Sequence, residues 1–167
     1  MQLSITTCDR RPEQRPRARR TLEHWLWHIP RDAQFRTLQQ LWAAQPCRRF
    51  LRLPATEGFE AWFIGWPGGS MAPLHDHGQA SGVVGALSGR LIESFHRPGR
   101  AGWQERDWCA GQRLALAPGV CHEVRNPGAR IAYSVHVYAP RLERMTFYDR
   151  TSEGGMQPLR VEHASQW

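Results

Sequence analysis

The sequence predicts a mainly β fold, a sandwich or small barrel, with α-helices confined to its N-terminal end. After Pro46, short runs rich in Val, Ile, Phe, Trp and Tyr alternate with Gly/Pro turns, the texture of many short strands. Before it, apolar residues recur at helical rather than alternating spacing. The 167 residues suffice for a core without disulfide staples.

Residues 1–16 carry no periodicity and read as a flexible basic arm. Residues 17–45 hold two helices that pack on the barrel. In the first, Leu22, Trp25, Leu26 and Ile29 form the apolar face, and Pro30 ends the helix. Asp32 caps the second, whose stripe is Phe35, Leu38, Leu41 and Trp42. The barrel is expected over residues 46–150. Its strands read "FEAWFIGW", "SGVVGALSG", "RLIESFH", "QRLALAPG", "HEVRN" and "RIAYSVHVYAP", with turns at "WPGGS", "RPGRAG" and "NPGA". Residues 151–167 remain as a C-terminal tail, and nothing divides the chain into two domains.

The formal charge is +7, and every one of the 22 basic residues is arginine. An excess without lysine reads as genome composition rather than selection for phosphate contacts, so no nucleic-acid partner is expected. Cys8, Cys47, Cys109 and Cys121 form no CxxC pair and read as free thiols of a reducing cytoplasm. No apolar run reaches membrane-span length, and the first residues lack the apolar core of a secretory signal. The expectation is a cytoplasmic monomer with no membrane partner.

The stretch "PLHDHGQASG" contains His75 and His77. On a strand, residues two apart share a face, so both imidazoles project together and Asp76 points away. By itself this pair is equally an exposed accident. A Pro-Gly turn just before His122 sets a third imidazole at the start of a later strand, able to face the first two. Three neutral imidazoles suit Fe(II), Ni, Cu or Zn. A second row lies in "SVHVYAP": Ser134, His136 and Tyr138 share one face, Val135 and Val137 the other. This is either an ordinary half-solvated strand or a hydrogen-bonded row pointing into a cavity.

Gly69, His75, His77 and Gly89, followed by Gly111, Pro118, Gly119, His122 and Asn126, resemble the paired cupin signature. Many cupins carry a glutamate four or five residues after the second histidine; Ser81 and Gly82 stand there instead. Glu93 lies too far along to fill that role. A site of three histidines leaves the charge of a divalent metal uncompensated and suits an anionic, chelating substrate together with dioxygen. Added to this site, the Ser-x-His-x-Tyr row resembles the cysteine dioxygenase family of thiol dioxygenases over roughly residues 48–149. "HDHG" and the stretch after it resemble bacterial members.

The resemblance implies a small cupin jelly-roll barrel with one mononuclear Fe(II) per chain, held by His75, His77 and His122. It implies substrates of a small thiol carboxylate and O2, L-cysteine first, with both oxygen atoms ending on sulfur as cysteine sulfinic acid. Tyr138 carries over as the phenol beside the oxygen site, supported by His136 and Ser134. The cysteine that crosslinks this tyrosine in animal members corresponds to Gly82, so no crosslink is expected. An arginine in a Tyr-x-Arg context binds the carboxylate in cysteine-specific members; "RRFLRL" assigns Arg52, with Phe50 in place of the tyrosine and Arg49 the ungapped alternative. Relatives acting on 3-mercaptopropionate use an arginine after the Ser-His-Tyr strand, where Arg141 and Arg144 lie. A non-catalytic ligand-binding or regulatory cupin is the alternative of another class.

Overall fold

The computed structural model describes residues 14–55, 57–97, 99, 102–152 and 154–163. The arm expected over 1–16 lies outside the described residues except for residues 14–16, which open the first helix. Helix α1 spans Gln14–His28 and α2 spans Ala33–Ala43. Asp32 caps α2 as expected, its carboxylate accepting from the backbone N–H of Gln34 at 2.7 Å and of Phe35 at 3.4 Å.

Among the described residues, eleven strands follow and form two antiparallel sheets. In chain order they are β1 (Arg49–Leu53), β2 (Glu60–Trp66), β3 (Met71–His75), β4 (Ser81–Ser88), β5 (Arg90–His96), β6 (Gln104–Cys109), β7 (Arg113–Leu116), β8 (Cys121–Arg125), β9 (Ala132–Ala139), β10 (Arg144–Arg150) and β11 (Met156–His163). One sheet runs β1-β2-β9-β4-β7, the other β11-β10-β3-β8-β5-β6. The mainly β expectation with N-terminal helices holds.

The alternation of side chains on β2 and β9 positions the site. Odd-numbered residues of both strands, among them Phe63, Tyr133, Val135 and Val137, pack under the helices with Leu22, Ile29 and Trp42. The indole of Trp42 stacks on Phe63 with centroids 5.1 Å apart. Even-numbered residues face the space between the sheets, where Trp62, Ile64, Trp66, His136 and Tyr138 line a cavity. Every residue of β9 is therefore buried. Ser134, His136 and Tyr138 are 0%, 4% and 5% exposed, so their face is not turned to solvent.

The unpredicted strands are mostly at the margins. β1, β6 and β11 are edge strands. β1 buries only Leu53, β6 only Trp108 and β11 nothing. An edge strand with solvent on one face has little reason to show apolar alternation. The segment expected as a tail, 151–167, thus contains β11, paired with β10 from Arg144↔His163 to Arg150↔Met156.

Gly89 lies in the left-handed region at φ 75°, and a Cβ there would stand 2.6 Å from the Cβ of Ala132. Gly111 has φ 85° but open space around it. Gly89→Ala is expected to destabilise the fold by about 2–4 kcal/mol, backbone strain plus overpacking, against about 1–2 kcal/mol of strain alone for Gly111→Ala. Urea unfolding of the two variants measures the difference.

Candidate metal centre

His75 ends β3, His77 lies just beyond it in the following loop, and His122 sits in β8 directly opposite His75. The backbone N–H of Gly119, in the turn before β8, donates to the carbonyl of Gly78 at 3.1 Å and ties the two histidine-bearing segments together. Ring centroids are 4.8 Å apart for His75–His77, 4.6 Å for His75–His122 and 5.0 Å for His77–His122. One ligand atom from each lies within 4.8 Å of the others, and all three residues are buried. Burial first, then the neighbouring imidazoles, push His75 and His77 well below the usual histidine pKa, so both rings are neutral and have a lone pair to offer.

The ring orientations fit a metal. The Nδ1–H of His75 donates to the carbonyl of Pro73 at 2.7 Å, which leaves Nε2 as its acceptor atom. His122 Nδ1 contacts Glu93 Oε1 at 2.6 Å, and His122 Nε2 is buried without a hydrogen-bond partner. An orphaned nitrogen at the meeting point of three imidazoles is costly unless something binds there. Asp76 points elsewhere, as expected: its carboxylate accepts from the Tyr148 hydroxyl at 2.5 Å and from the backbone N–H of Gly78 at 2.9 Å. Cys121 lies beside Asp76 and Tyr148, and burial, reinforced by the charge of Asp76, raises its thiol to about 11.

Glu93 is the acid that sequence spacing set aside. It is 1% exposed, and its second oxygen accepts from Arg106 Nε at 2.5 Å. Burial pushes its pKa up, but hydrogen bonds and charge from His122 and Arg106 outweigh this and hold it at about 2. Glu93 is therefore a carboxylate behind an imidazole, the arrangement that fixes the tautomer of a ligating histidine and raises its basicity. One signal was present: in "RLIESFH" Glu93 alternates with Leu91 and Phe95, an acid on an apolar strand face. Glu93→Gln keeps an acceptor and removes the charge. It is expected to weaken metal binding about 10–100-fold, read by competition with a chromophoric chelator.

The Ser134, His136 and Tyr138 row is a chain of hydrogen bonds with a direction. The indole N–H of Trp66 can only donate, and it donates to Ser134 Oγ at 2.8 Å. Ser134 then donates to His136 Nε2 at 2.9 Å. His136 carries its proton on Nδ1 and donates to the Tyr138 oxygen at 3.2 Å, and Tyr138 donates to His77 Nε2 at 3.2 Å. Burial lowers His136 to about 3 and raises the Tyr138 phenol, so both are neutral at ordinary pH. Trp66 was not singled out from sequence, because its partner lies 68 residues away. Gly82 faces Tyr138 in the register, and a Cβ there would come within 3.1 Å of the phenol ring.

These groups line a cavity of about 550 Å³, together with apolar residues such as Trp62, Ile64, Val124, Leu142 and Phe147 and with the charged Glu162. Two arginines line it, Arg48 and Arg160. Arg48 is half-buried, 5.2 Å from the Trp66 ring and 5.1 Å from Phe50, and burial lowers its pKa. Arg52 does not line the cavity. It lies opposite Trp62, its side chain is 57% exposed, and it reaches Glu60 at 3.5 Å. Arg48 precedes β1, and Arg52 lies within it, next to the buried Leu53 at its end. Arg49 bonds Gln45 at 2.8 Å, and Arg141 donates to the Phe59 carbonyl at 3.0 Å; neither lines the cavity.

Comparison with known proteins agrees with this architecture. The family model described as cysteine dioxygenase type I matches residues 45–151. Among solved structures, oxalate oxidase in complex with the substrate analogue glycolate superposes with a TM-score of 0.55 at 20% identity, covering 63% of this chain and 57% of its own. The chain thus spans less than two thirds of that structure's length. The TT1209 protein from Thermus thermophilus gives 0.51 at 25% identity, covering 62% of this chain and 94% of its own. The Schizosaccharomyces pombe Cnp3 cupin domain gives 0.51 at 15%, covering 58% and 67%. The low-identity matches establish the cupin-like barrel and nothing about chemistry.

Proposed function

We propose, for a chain that belongs to the cysteine dioxygenase type I family, that it is an Fe(II)-dependent dioxygenase of small thiol carboxylates, L-cysteine first among them. The thiolate and dioxygen combine to a sulfinate: two S–O bonds form, the O–O bond breaks, and sulfur supplies the four electrons that O2 takes up. The observation that carries this reading is the junction of two groups. Three buried imidazoles converge, and a directed hydrogen-bond chain ends on one of them through Tyr138.

His75, His77 and His122 are the ligand set. Iron bound there would bring thiolate and dioxygen together and stabilise the thiolate without a separate base. Glu93 and the Pro73 carbonyl hold the His122 and His75 rings with Nε2 inward. Once the His77 lone pair is engaged as a ligand, Tyr138 can no longer donate to it. His136, held by Ser134, still donates to the phenol oxygen. The Tyr138 proton is then free to turn to the reacting atoms, where developing negative charge accepts it. Tyr138 itself is buried, and apolar side chains such as Trp62 and Leu142 line the cavity beside it.

Arg48 is assigned the substrate carboxylate, replacing Arg52, because it is the half-buried arginine of β1's approach that lines the cavity. Its planar guanidinium offers two parallel N–H donors to a carboxylate. Arg48→Ala is expected to raise KM for cysteine about 10–100-fold while kcat changes little, because a charge-assisted contact of about 1.5–3 kcal/mol is lost. Arg52→Ala is expected to leave KM unchanged. Oxygen-electrode kinetics of the two variants decide the assignment, and the reverse pattern would restore Arg52. Dioxygenation of 3-mercaptopropionate uses the same residues, since that substrate keeps the thiol and the carboxylate and lacks only the amine.

A further inference from the structure

A second cavity of about 590 Å³ opens on the other side of Gly82 and Leu116, between α1 and the barrel. Its floor is apolar, with Val83, Leu116 and Val120, while Arg97 and Arg106 stand at one side. Both guanidiniums lie over the same ring, Phe95, with Arg97 at 5.2 Å and Arg106 at 4.7 Å from its centroid. Arg106 is already paired with Glu93, whereas the Arg97 charge is balanced by none of the described residues. The nearby carboxylate, Glu93, is fully engaged by Arg106 Nε and His122 Nδ1. Among the described residues, Arg97 has no ion-pair partner and the terminal nitrogens of Arg106 have no hydrogen-bond partner. The third arginine of the lining, Arg19, is paired with Glu23 at 3.0 Å.

We infer that this cavity is a binding site for a small amphipathic carboxylate, its head held by Arg97 and Arg106 and its hydrocarbon part laid on Val83, Leu116 and Val120. The volume is that of a site for a small organic ligand. The two guanidiniums select a planar anion, and the apolar floor selects a carbon chain over an inorganic ion. The site stands apart from the imidazole cavity but touches its support, because Arg106 also holds Glu93 behind His122. It does not depend on which reaction the imidazole cavity performs.

The test is calorimetric titration of the full chain with octanoate, and with octanol and acetate as partial probes that carry only the chain or only the charge. Octanoate is expected to bind one site with Kd below about 1 mM, and each partial probe at least about tenfold more weakly. Arg97→Ala, a change at an exposed residue, should weaken octanoate at least about tenfold, while Arg48→Ala should not. Saturable octanoate binding with this pattern supports the site. Absence of binding, equal affinity for octanol, insensitivity to Arg97→Ala, or loss on Arg48→Ala would overturn it, the last by moving the ligand to the imidazole cavity.

Discussion

Alanine in place of His122 is expected to remove bound iron and thiol-dependent oxygen uptake together. Its Nε2 is buried without a hydrogen-bond partner, and its Nδ1 is anchored to a carboxylate that in turn holds an arginine. Losing the ring removes one of three ligand atoms and leaves Glu93 facing a void, so the loss in metal affinity should exceed the 10–100-fold typical of an outer partner. Metal analysis after desalting and oxygen uptake should fall in parallel. Cys121→Ala is the control, since that side chain lies beside Asp76 and Tyr148 and should leave the metal in place. Unchanged turnover in His122→Ala would remove the metal assignment.

Tyr138→Phe separates the chain of donors from the ligand set. The variant keeps the ring packed against His77, 4.7 Å between centroids, and deletes only the hydroxyl. Iron content should stay within about twofold. Sulfinate formation should drop about 10²-fold, because a positioned donor to developing charge is worth that much. Oxygen consumed per sulfinate formed should rise. Ser134→Ala should be milder, because His136 would lose the donor that fixes its tautomer but keep its contact with the phenol. A Tyr138→Phe enzyme with full rate and full coupling would reduce Tyr138 to a packing residue.

The residues legible in the sequence were those whose signal is local. His75 and His77 are two positions apart, and Ser134, His136 and Tyr138 share a strand whose other face carries valines; spacing alone put each group on one face. The Asp32 cap and both helices were readable for the same reason. His77 lies beyond the end of β3, so strand alternation described its direction better than its secondary structure. What was not legible depends on distant partners. Glu93 meets His122 across 29 residues and Trp66 meets Ser134 across 68, and neither pairing leaves a trace in local periodicity. Arg48, just before β1, lines the cavity and Arg52, within β1, does not, a distinction set by where the cavity ends. The edge strands β1, β6 and β11 were missed because solvent removes the need for apolar alternation. No glutamate stands four or five residues after His77, and the carboxylate that meets His122 comes instead from β5.

The measurement that tests the central claim most directly is a single-turnover reaction of the anaerobically iron-loaded protein with L-cysteine and ¹⁸O₂, its product resolved by mass. The account predicts cysteine sulfinic acid with both oxygen atoms labelled, and iron-dependent formation that ceases in His122→Ala. Cystine as the only product, or a product carrying a single labelled oxygen, would contradict it.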